Sequence, residues 1–204
     1  VSNSAMYARR RQSTNLRQAL VVLGLHATVT LALGFSLMPL LQRDNSKSKV
    51  FTHTWRRTLM SGLCARALAD VTRKVNAEEA FLCALLQDVG IMGIDRIMPG
   101  FYDATEEFFE DHGRLIEYER GEIDADHAEG SAHLLHIWKL PEYLQDSVAV
   151  SHALHSKKVP EMSQFLSLVV ALSGPMADAW LAGESDTDGA QMRKVTDMAK
   201  RELK

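Results

Sequence analysis

Apolar residues recur at intervals of three and four along almost the whole chain, and this spacing limits the fold more than any other feature of the sequence. It is the period of an amphipathic helix, whereas a strand with one buried face alternates at every second residue. No alternating segment bounded by turn residues stands out. We therefore predict an all-α protein, and its 204 residues are enough to bury one sizeable core.

Capping residues and prolines divide this pattern into helices. Asn76 with Glu79, and Asp126 with Glu129, have the spacing of a capping box, so each pair predicts a helix N-terminus. Pro141 suits the first turn of another helix. The predicted helices span about 15–24, 25–41, 50–74, 76–90, 127–140, 141–155 and 160–182, with acidic helical segments between 101 and 118.

The net charge of −3 hides an uneven distribution of charge along the chain. Residues 1–74 carry a net charge of +10, residues 75–130 carry −12 and residues 131–204 carry −1. Such regions are solvated surfaces, face each other, or steer a charged partner. The two candidate interaction surfaces are a basic one, Arg9, Arg10, Arg11 and Arg17, and an acidic one, Glu106, Glu107, Glu110 and Asp111. Because the whole chain is acidic and has no nucleic-acid-reading motif, we expect no binding to nucleic acid.

A long stretch without charge lies between Arg17 and Arg43 and has the length of a membrane-spanning helix. Gly24, Gly34 and Pro39 interrupt it, and no second span is available to pack against it. We expect two buried helices here and no insertion into a membrane.

Known catalytic signatures are missing from the sequence, which has no HExxH, no paired CxxC, no GxSxG and no glycine-rich phosphate loop. Cys64 and Cys83 are too few for a disulfide framework, so we expect reduced thiols in a cytoplasmic protein. Two pairs of histidines have the three-residue spacing of one helix face, which is weak evidence for a metal site. These pairs are His133 with His136 and His152 with His155.

Asp88 stands out because it follows the apolar run ALLQ and precedes Gly90 at the end of a predicted helix. A buried carboxylate at this place needs a hydrogen-bonding or charged partner. Nearby backbone groups or an arginine could each supply it.

Five segments in order carry a resemblance to a known family: SNSAMYA, LRQALVVLG, TWRRTLMSGLCARALA, AEEAFLCALLQDVG and HAEGSAHLLHIWKLPEYLQDSVAVSHA. Together they resemble the HDOD domain, a signalling offshoot of the HD-type metal-dependent phosphohydrolases. The resemblance implies an HD-type helical bundle over residues 1–183 that lacks its first helices, followed by a charged helix or linker at 184–204. It also implies a neighbouring signalling protein or fused domain of the receiver, GGDEF or EAL type, as in bacterial cyclic-di-GMP signalling.

The same resemblance points to the positions where catalytic HD proteins bind metal. Arg57 stands at the first histidine position, and the His-Asp pair of the family is replaced by Gln87 and Asp88. The complete degenerate site implied in this way is Arg57, Gln87, Asp88, His127, His152 and Asp178.

The loss of two histidine positions argues against catalysis. Arginine carries a permanent positive charge and offers only donors, so it cannot coordinate a cation. We expect Arg57 to pair with Asp88 in place of a metal, with no metal or other cofactor bound, in a non-catalytic regulatory module. The alternatives are a metal-dependent phosphohydrolase that uses Asp88, His127 and His152 on a nucleotide or cyclic dinucleotide, and a pocket in which Arg57 binds a nucleotide phosphate without turnover.

Overall fold

The computed structural model describes residues 49–103, 105, 112–152 and 159–182, together with positions 32, 193, 197–199 and 201. The chain divides into two compact units, Val1–Leu40 and Leu41–Lys204, and the elements described here belong to the second. Apart from position 32, the two predicted helices at 15–24 and 25–41 lie outside the described residues, as do both candidate interaction surfaces, basic and acidic.

The described residues form helices and a few turns and contain no strand, which confirms the all-α prediction. In chain order the helices are α1 (Lys49–Thr72), α2 (Ala77–Leu86), α3 (Val89–Ile97), α4 (His112–Ile123), α5 (His127–Ile137), α6 (Glu142–Ala149) and α7 (Glu161–Ala182).

Helix α1 packs against α2 and α7, α3 packs against α5, and α6 lies between α5 and α7. The buried face of α1 repeats at three and four residues and is made mostly of small side chains, with one exception. That exception is Arg57, which is 1% exposed. The small neighbours leave room for α2 and α7 to approach α1, and the arginine therefore lies at the centre of the bundle.

Helix α7 has the apolar composition of a membrane span over Ser163–Ala182, and it is the one described helix that meets this criterion. Its residues are nevertheless 61% buried inside the protein over that window. This burial is the pattern of a core helix that packs against α1 and α6.

Two predicted helix boundaries are wrong in an informative way. The helix predicted at 76–90 is divided into α2 and α3 at Gln87 and Asp88. The helix predicted at 141–155 ends at Ala149, and His152 lies in the turn after it. Asp88 and His152 lie just outside these helices and contact groups that are distant in the sequence. These long-range contacts outweigh the local hydrogen bonds that would continue each helix.

The capping predictions are confirmed at α5 and half confirmed at α2. Asp126 accepts a hydrogen bond from the backbone N–H of Glu129, whose side chain accepts from the N–H of Asp126, so the capping box is complete. At α2, Asn76 accepts from the two backbone N–H groups of Glu78 and Glu79, without the reciprocal bond.

Asp126→Ala is expected to cost about 2 kcal/mol, and Asn76→Ala about 1 kcal/mol, of the free energy of unfolding. The Asp126 substitution costs more because Asp126 also accepts hydrogen bonds from Arg120. Burial alone would raise the pKa of Asp126, but the Glu129 N–H and Arg120 lower it. Its contribution is therefore present at neutral pH and is lost as the pH falls below the ordinary value of 3.8. Urea denaturation at pH 7 measures both costs, and an equal or reversed order would contradict this account of the caps.

Candidate functional site

Arg57 joins two carboxylates inside the bundle. Its Nη1 donates to Oδ2 of Asp88 at the joint between α2 and α3. Its Nε donates to Oδ1 of Asp178 on α7 at 2.6 Å, and its Nη2 donates to Oδ2 of the same residue at 3.0 Å. This two-pronged contact is the geometry in which a guanidinium binds a carboxylate best. The arginine thus ties α1, the α2–α3 joint and α7 together.

Gly174 makes room for this contact on α7. A Cβ atom at residue 174 would lie 2.8 Å from Nη2 of Arg57. Gly174 and Asp178 are four residues apart and therefore lie on one face of the helix. The first leaves space for the guanidinium and the second binds it.

Burial and charge act in opposite directions on this group. Burial alone would lower the pKa of Arg57, but the charges of Asp88 and Asp178 raise it above its ordinary value. Burial alone would raise the pKa of Asp88, but the charge of Arg57 and a hydrogen bond from His152 hold it well below its ordinary value. Both partners are therefore charged, in a place that is inaccessible to bulk water.

The other oxygen of Asp88 faces three imidazoles. Oδ1 lies 3.3 Å from Nε2 of His152, 3.6 Å from Nε2 of His127 and 3.9 Å from Nε2 of His112. The Nε2 atoms of His127 and His152 lie 3.0 Å apart. These three residues come from α4, α5 and the turn after α6, and we call them the histidine cluster.

Glu119 orients one member of the histidine cluster from behind. Its Oε2 accepts hydrogen bonds from both Nδ1 and the backbone N–H of His127, at 2.7 and 2.8 Å. Its Oε1 accepts from the hydroxyl of Tyr102 at 2.6 Å. Because Nδ1 is held by a carboxylate, Nε2 of His127 points towards Asp88. A carboxylate behind a histidine in this way is the usual support of a metal-binding imidazole.

The same contacts set the protonation of the imidazoles. Burial alone would lower the pKa of His127, but Glu119 raises it through a hydrogen bond and its charge. Burial and the charge of Arg57 hold the pKa of His112 well below its ordinary value. Burial also lowers the pKa of His152, against its hydrogen bond to Asp88. At neutral pH, His112 and His152 are thus neutral imidazoles with lone pairs.

The sequence-based site is brought together with one exception. Arg57, Asp88, Asp178, His127 and His152 form one connected group. Gln87 is fully buried beside Asp88, but neither its Oε1 nor its Nε2 has a hydrogen-bond partner in the described part of the chain. It is therefore a neighbour of this group rather than one of its linked members.

His112 and Glu119 are the site residues that sequence reasoning missed. Both lie in an acidic segment that looks like a solvated surface, and neither has a histidine at helical spacing. The signal that identifies them is positional, because His112, Leu115 and Glu119 follow one another at intervals of three and four and form the buried face of α4. A polar or charged side chain at an apolar position of a helix needs a buried partner.

A metal fits one side of Asp88 and not the other. On the Oδ1 side, Asp88 and the histidine cluster offer one donor atom each, all within 4.8 Å of one another. On the Oδ2 side, the guanidinium of Arg57 fills the space and offers only donors to hydrogen bonds. The expectation that Arg57 pairs with Asp88 agrees with this geometry, whereas the absence of any metal stays a prediction.

Comparison with solved structures shows the same helical fold. A crystal structure of an HDOD domain protein of unknown function from Geobacter sulfurreducens is 22% identical with a TM-score of 0.70, over 86% of this chain and 58% of that one. A candidate phosphohydrolase from Shewanella amazonensis is 19% identical with a TM-score of 0.72, over 92% and 66%. The MmoQ response regulator from Methylococcus capsulatus is 23% identical with a TM-score of 0.55, over 95% and 76%.

The chain therefore spans 58% and 66% of the lengths of the first two of these structures. A search of curated proteins finds no match. The family model of the HDOD domain matches residues 1–154, which is most of the chain. This match covers the segments that carry Arg57, Asp88 and the histidine cluster. The chain belongs to the HDOD domain family.

Proposed function

We propose that this chain is a non-catalytic signal-transduction module of the cytoplasm, which couples an upstream sensor or a cyclic-di-GMP-related domain to a partner. The observation that carries this proposal is the buried contact of Arg57 with both Asp88 and Asp178. A permanently charged side chain takes up carboxylate oxygens that a water-activating metal centre would need.

The position of this contact suits a relay. Arg57 and its partners lie on α1, on the α2–α3 joint and on α7, while the histidine cluster adds α4, α5 and the turn after α6. A shift of one of these helices must therefore alter hydrogen bonds to the others. A ligand or neighbouring domain that prefers one packing arrangement would shift the population of the whole bundle. We expect a receiver, GGDEF or EAL domain to be that neighbour.

The MmoQ protein supports a signalling role, since it is described as a response regulator and has the same fold as this chain. The histidine cluster supports the second candidate function, a phosphohydrolase, and the Shewanella amazonensis protein is described in those terms. The number of metal donors favours the regulatory module over the phosphohydrolase. Four protein donors around one position make a closed site, whereas catalytic metal sites keep a position open for water or substrate.

Binding of a nucleotide phosphate by Arg57 is disfavoured by its surroundings. Nε, Nη1 and Nη2 all donate to carboxylates, and the side chain is 1% exposed. A phosphate would have to displace two ion pairs that the bundle encloses. Isothermal titration with a nucleotide panel should therefore give no signal that depends on Arg57.

A hydrolysis assay tests the proposed function. The full chain is loaded with Mn²⁺, Fe²⁺ or Zn²⁺ and incubated with cyclic dinucleotides and a panel of nucleotides, with Asp88→Ala as the control variant. We expect no release of phosphate or linear dinucleotide above that of the Asp88→Ala control. Turnover that depends on both metal and Asp88 would overturn the regulatory proposal in favour of the phosphohydrolase.

A further inference from the structure

Asp88 divides its two oxygens between different kinds of partner. Oδ2 accepts from the guanidinium of Arg57, while Oδ1 faces the Nε2 atoms of the histidine cluster at 3.3 to 3.9 Å. The carboxyl group is fully buried. Each oxygen of Asp88 therefore offers a separate position for a positive charge, one at Oδ2 and one at Oδ1.

The buried charges leave one of these positions short of a cation. Three carboxylates converge on this region, the fully buried Asp88 and Glu119 and the partly exposed Asp178, and Arg57 is the one arginine or lysine that the described contacts place against them. Arg57 lies against Asp88 and Asp178 only. Buried carboxylates need compensating charge, so further positive charge is favoured on the Oδ1 side.

The distances among Asp88, His127 and His152 on that side are close to those between the ligands of a small metal ion. A tetrahedral ion with bonds of about 2.0–2.1 Å separates its ligand atoms by roughly 3.3–3.4 Å. Nε2 of His152 lies 3.3 Å from Oδ1 and 3.0 Å from Nε2 of His127, which itself lies 3.6 Å from Oδ1. Nε2 of His112 is farther away, at 3.9 Å from Oδ1, and all four donor atoms lie within 4.8 Å of one another.

His112 adds an independent observation. Both of its ring nitrogens are buried, and neither has a hydrogen-bond partner within the described residues. Buried polar atoms of native proteins are almost always paired, so an unpaired one calls for a missing ligand, ion or water. The imidazole is aimed at Asp88 and packs edge-on against His127, with ring centroids 5.1 Å apart.

We propose that Asp88 is shared by two cations, the guanidinium of Arg57 on Oδ2 and one first-row transition metal ion on Oδ1, where His112, His127 and His152 complete a closed set of four donors. Three imidazoles favour Zn²⁺, Fe²⁺, Co²⁺ or Ni²⁺ over Mg²⁺ and Ca²⁺, which prefer oxygen ligands. This site goes beyond the regulatory role proposed above, and it is an alternative to the sequence-based expectation that no metal binds, which stays a prediction.

Metal stoichiometry tests this inference. The full chain is stripped with EDTA, dialysed against Zn²⁺ or Co²⁺, and analysed by plasma mass spectrometry. We expect one ion per chain in the wild type and in His133→Ala, a control in which an exposed histidine of α5 is removed. We expect His112→Ala and His152→Ala to bind more than about 100-fold more weakly, since loss of a supporting partner alone costs roughly 10–100-fold.

Cobalt spectra give a readout that does not depend on the alanine variants. The Co²⁺-loaded wild type should show the intense visible bands of a tetrahedral ion, and Glu119→Gln should weaken Co²⁺ affinity by about 10–100-fold through His127. No bound metal, two ions per chain, or unchanged binding by a folded His112→Ala would each overturn the inference. Hydrolysis by a one-ion protein would instead overturn the regulatory function and leave the metal site standing.

Discussion

Arg57→Ala is expected to lower the free energy of unfolding by about 3–5 kcal/mol, the cost of leaving a buried charge without its partner. Asp88 is 0% exposed, so its carboxylate can neither be hydrated nor turn away. Asp178 is 22% exposed and can recover some hydration, so most of the cost arises at Asp88. Arg56→Ala is the matched control, since this neighbouring arginine is exposed and its loss should change stability by less than about 0.5 kcal/mol.

A double-mutant cycle separates the ion pair from the rest of the arginine. Asp88→Asn is also expected to be destabilising, because Arg57 then loses one of its two compensating charges. The double variant Arg57→Ala, Asp88→Asn should cost less than the two single changes together, by about 1–3 kcal/mol. Urea denaturation of the EDTA-treated proteins measures the free energy of unfolding of the wild type, both single variants and the double variant. Additive effects, or a loss below about 1 kcal/mol for Arg57→Ala, would mean that this contact does not hold the bundle as described.

The helices could be predicted from the sequence because their signals are local. The apolar spacing predicted a helix at 50–74, and α1 spans Lys49–Thr72. The helix predicted at 160–182 is α7, Glu161–Ala182. The capping box at the start of α5 is specified by the four consecutive residues from Asp126 to Glu129, and the structure contains it there. None of these features needs a partner from elsewhere in the chain.

The site was less accessible to the same reasoning because its contacts join distant residues. Arg57 could be found as a charged residue at a position of the family motif, and its partners Asp88 and Asp178 are 31 and 121 residues away. His152 was expected on a helix, yet it lies in a turn from which its ring reaches Asp88. Which polar groups meet is decided by the packing of the helices that carry them, and no spacing along the chain encodes it.

Gly90 shows how closely packing controls that site. It lies in the first turn of α3, two residues after Asp88, against the first turn of α5, which begins at His127. Its backbone N–H donates to Oγ of Ser131 at 2.7 Å, which satisfies an amide that the side chain of Asp88 leaves uncapped. The approach of α3 to α5 therefore sets how far Asp88 lies from His127.

Gly90→Ala is expected to cost at least about 3 kcal/mol, at the upper end of overpacking effects. The added Cβ would lie 2.1 Å from the carbonyl oxygen of His127 and 2.7 Å from the backbone nitrogen of Ser131, so no side-chain rotation can relieve the clash. In Gly121→Ala, the matched control on exposed α4 backbone, nothing lies within 4 Å of the new Cβ, and a gain of about 0.5–1 kcal/mol is expected.

Urea denaturation compares the two glycine variants, and metal titration of the folded fraction of Gly90→Ala tests the link to the site. If α3 moves away from α5, Asp88 moves away from His127, and metal affinity should fall even though no ligand has been changed. A Gly90→Ala protein as stable as the wild type would contradict the close helix contact. A destabilised variant with unchanged metal affinity would show that the contact supports the fold without setting the distance between Asp88 and His127.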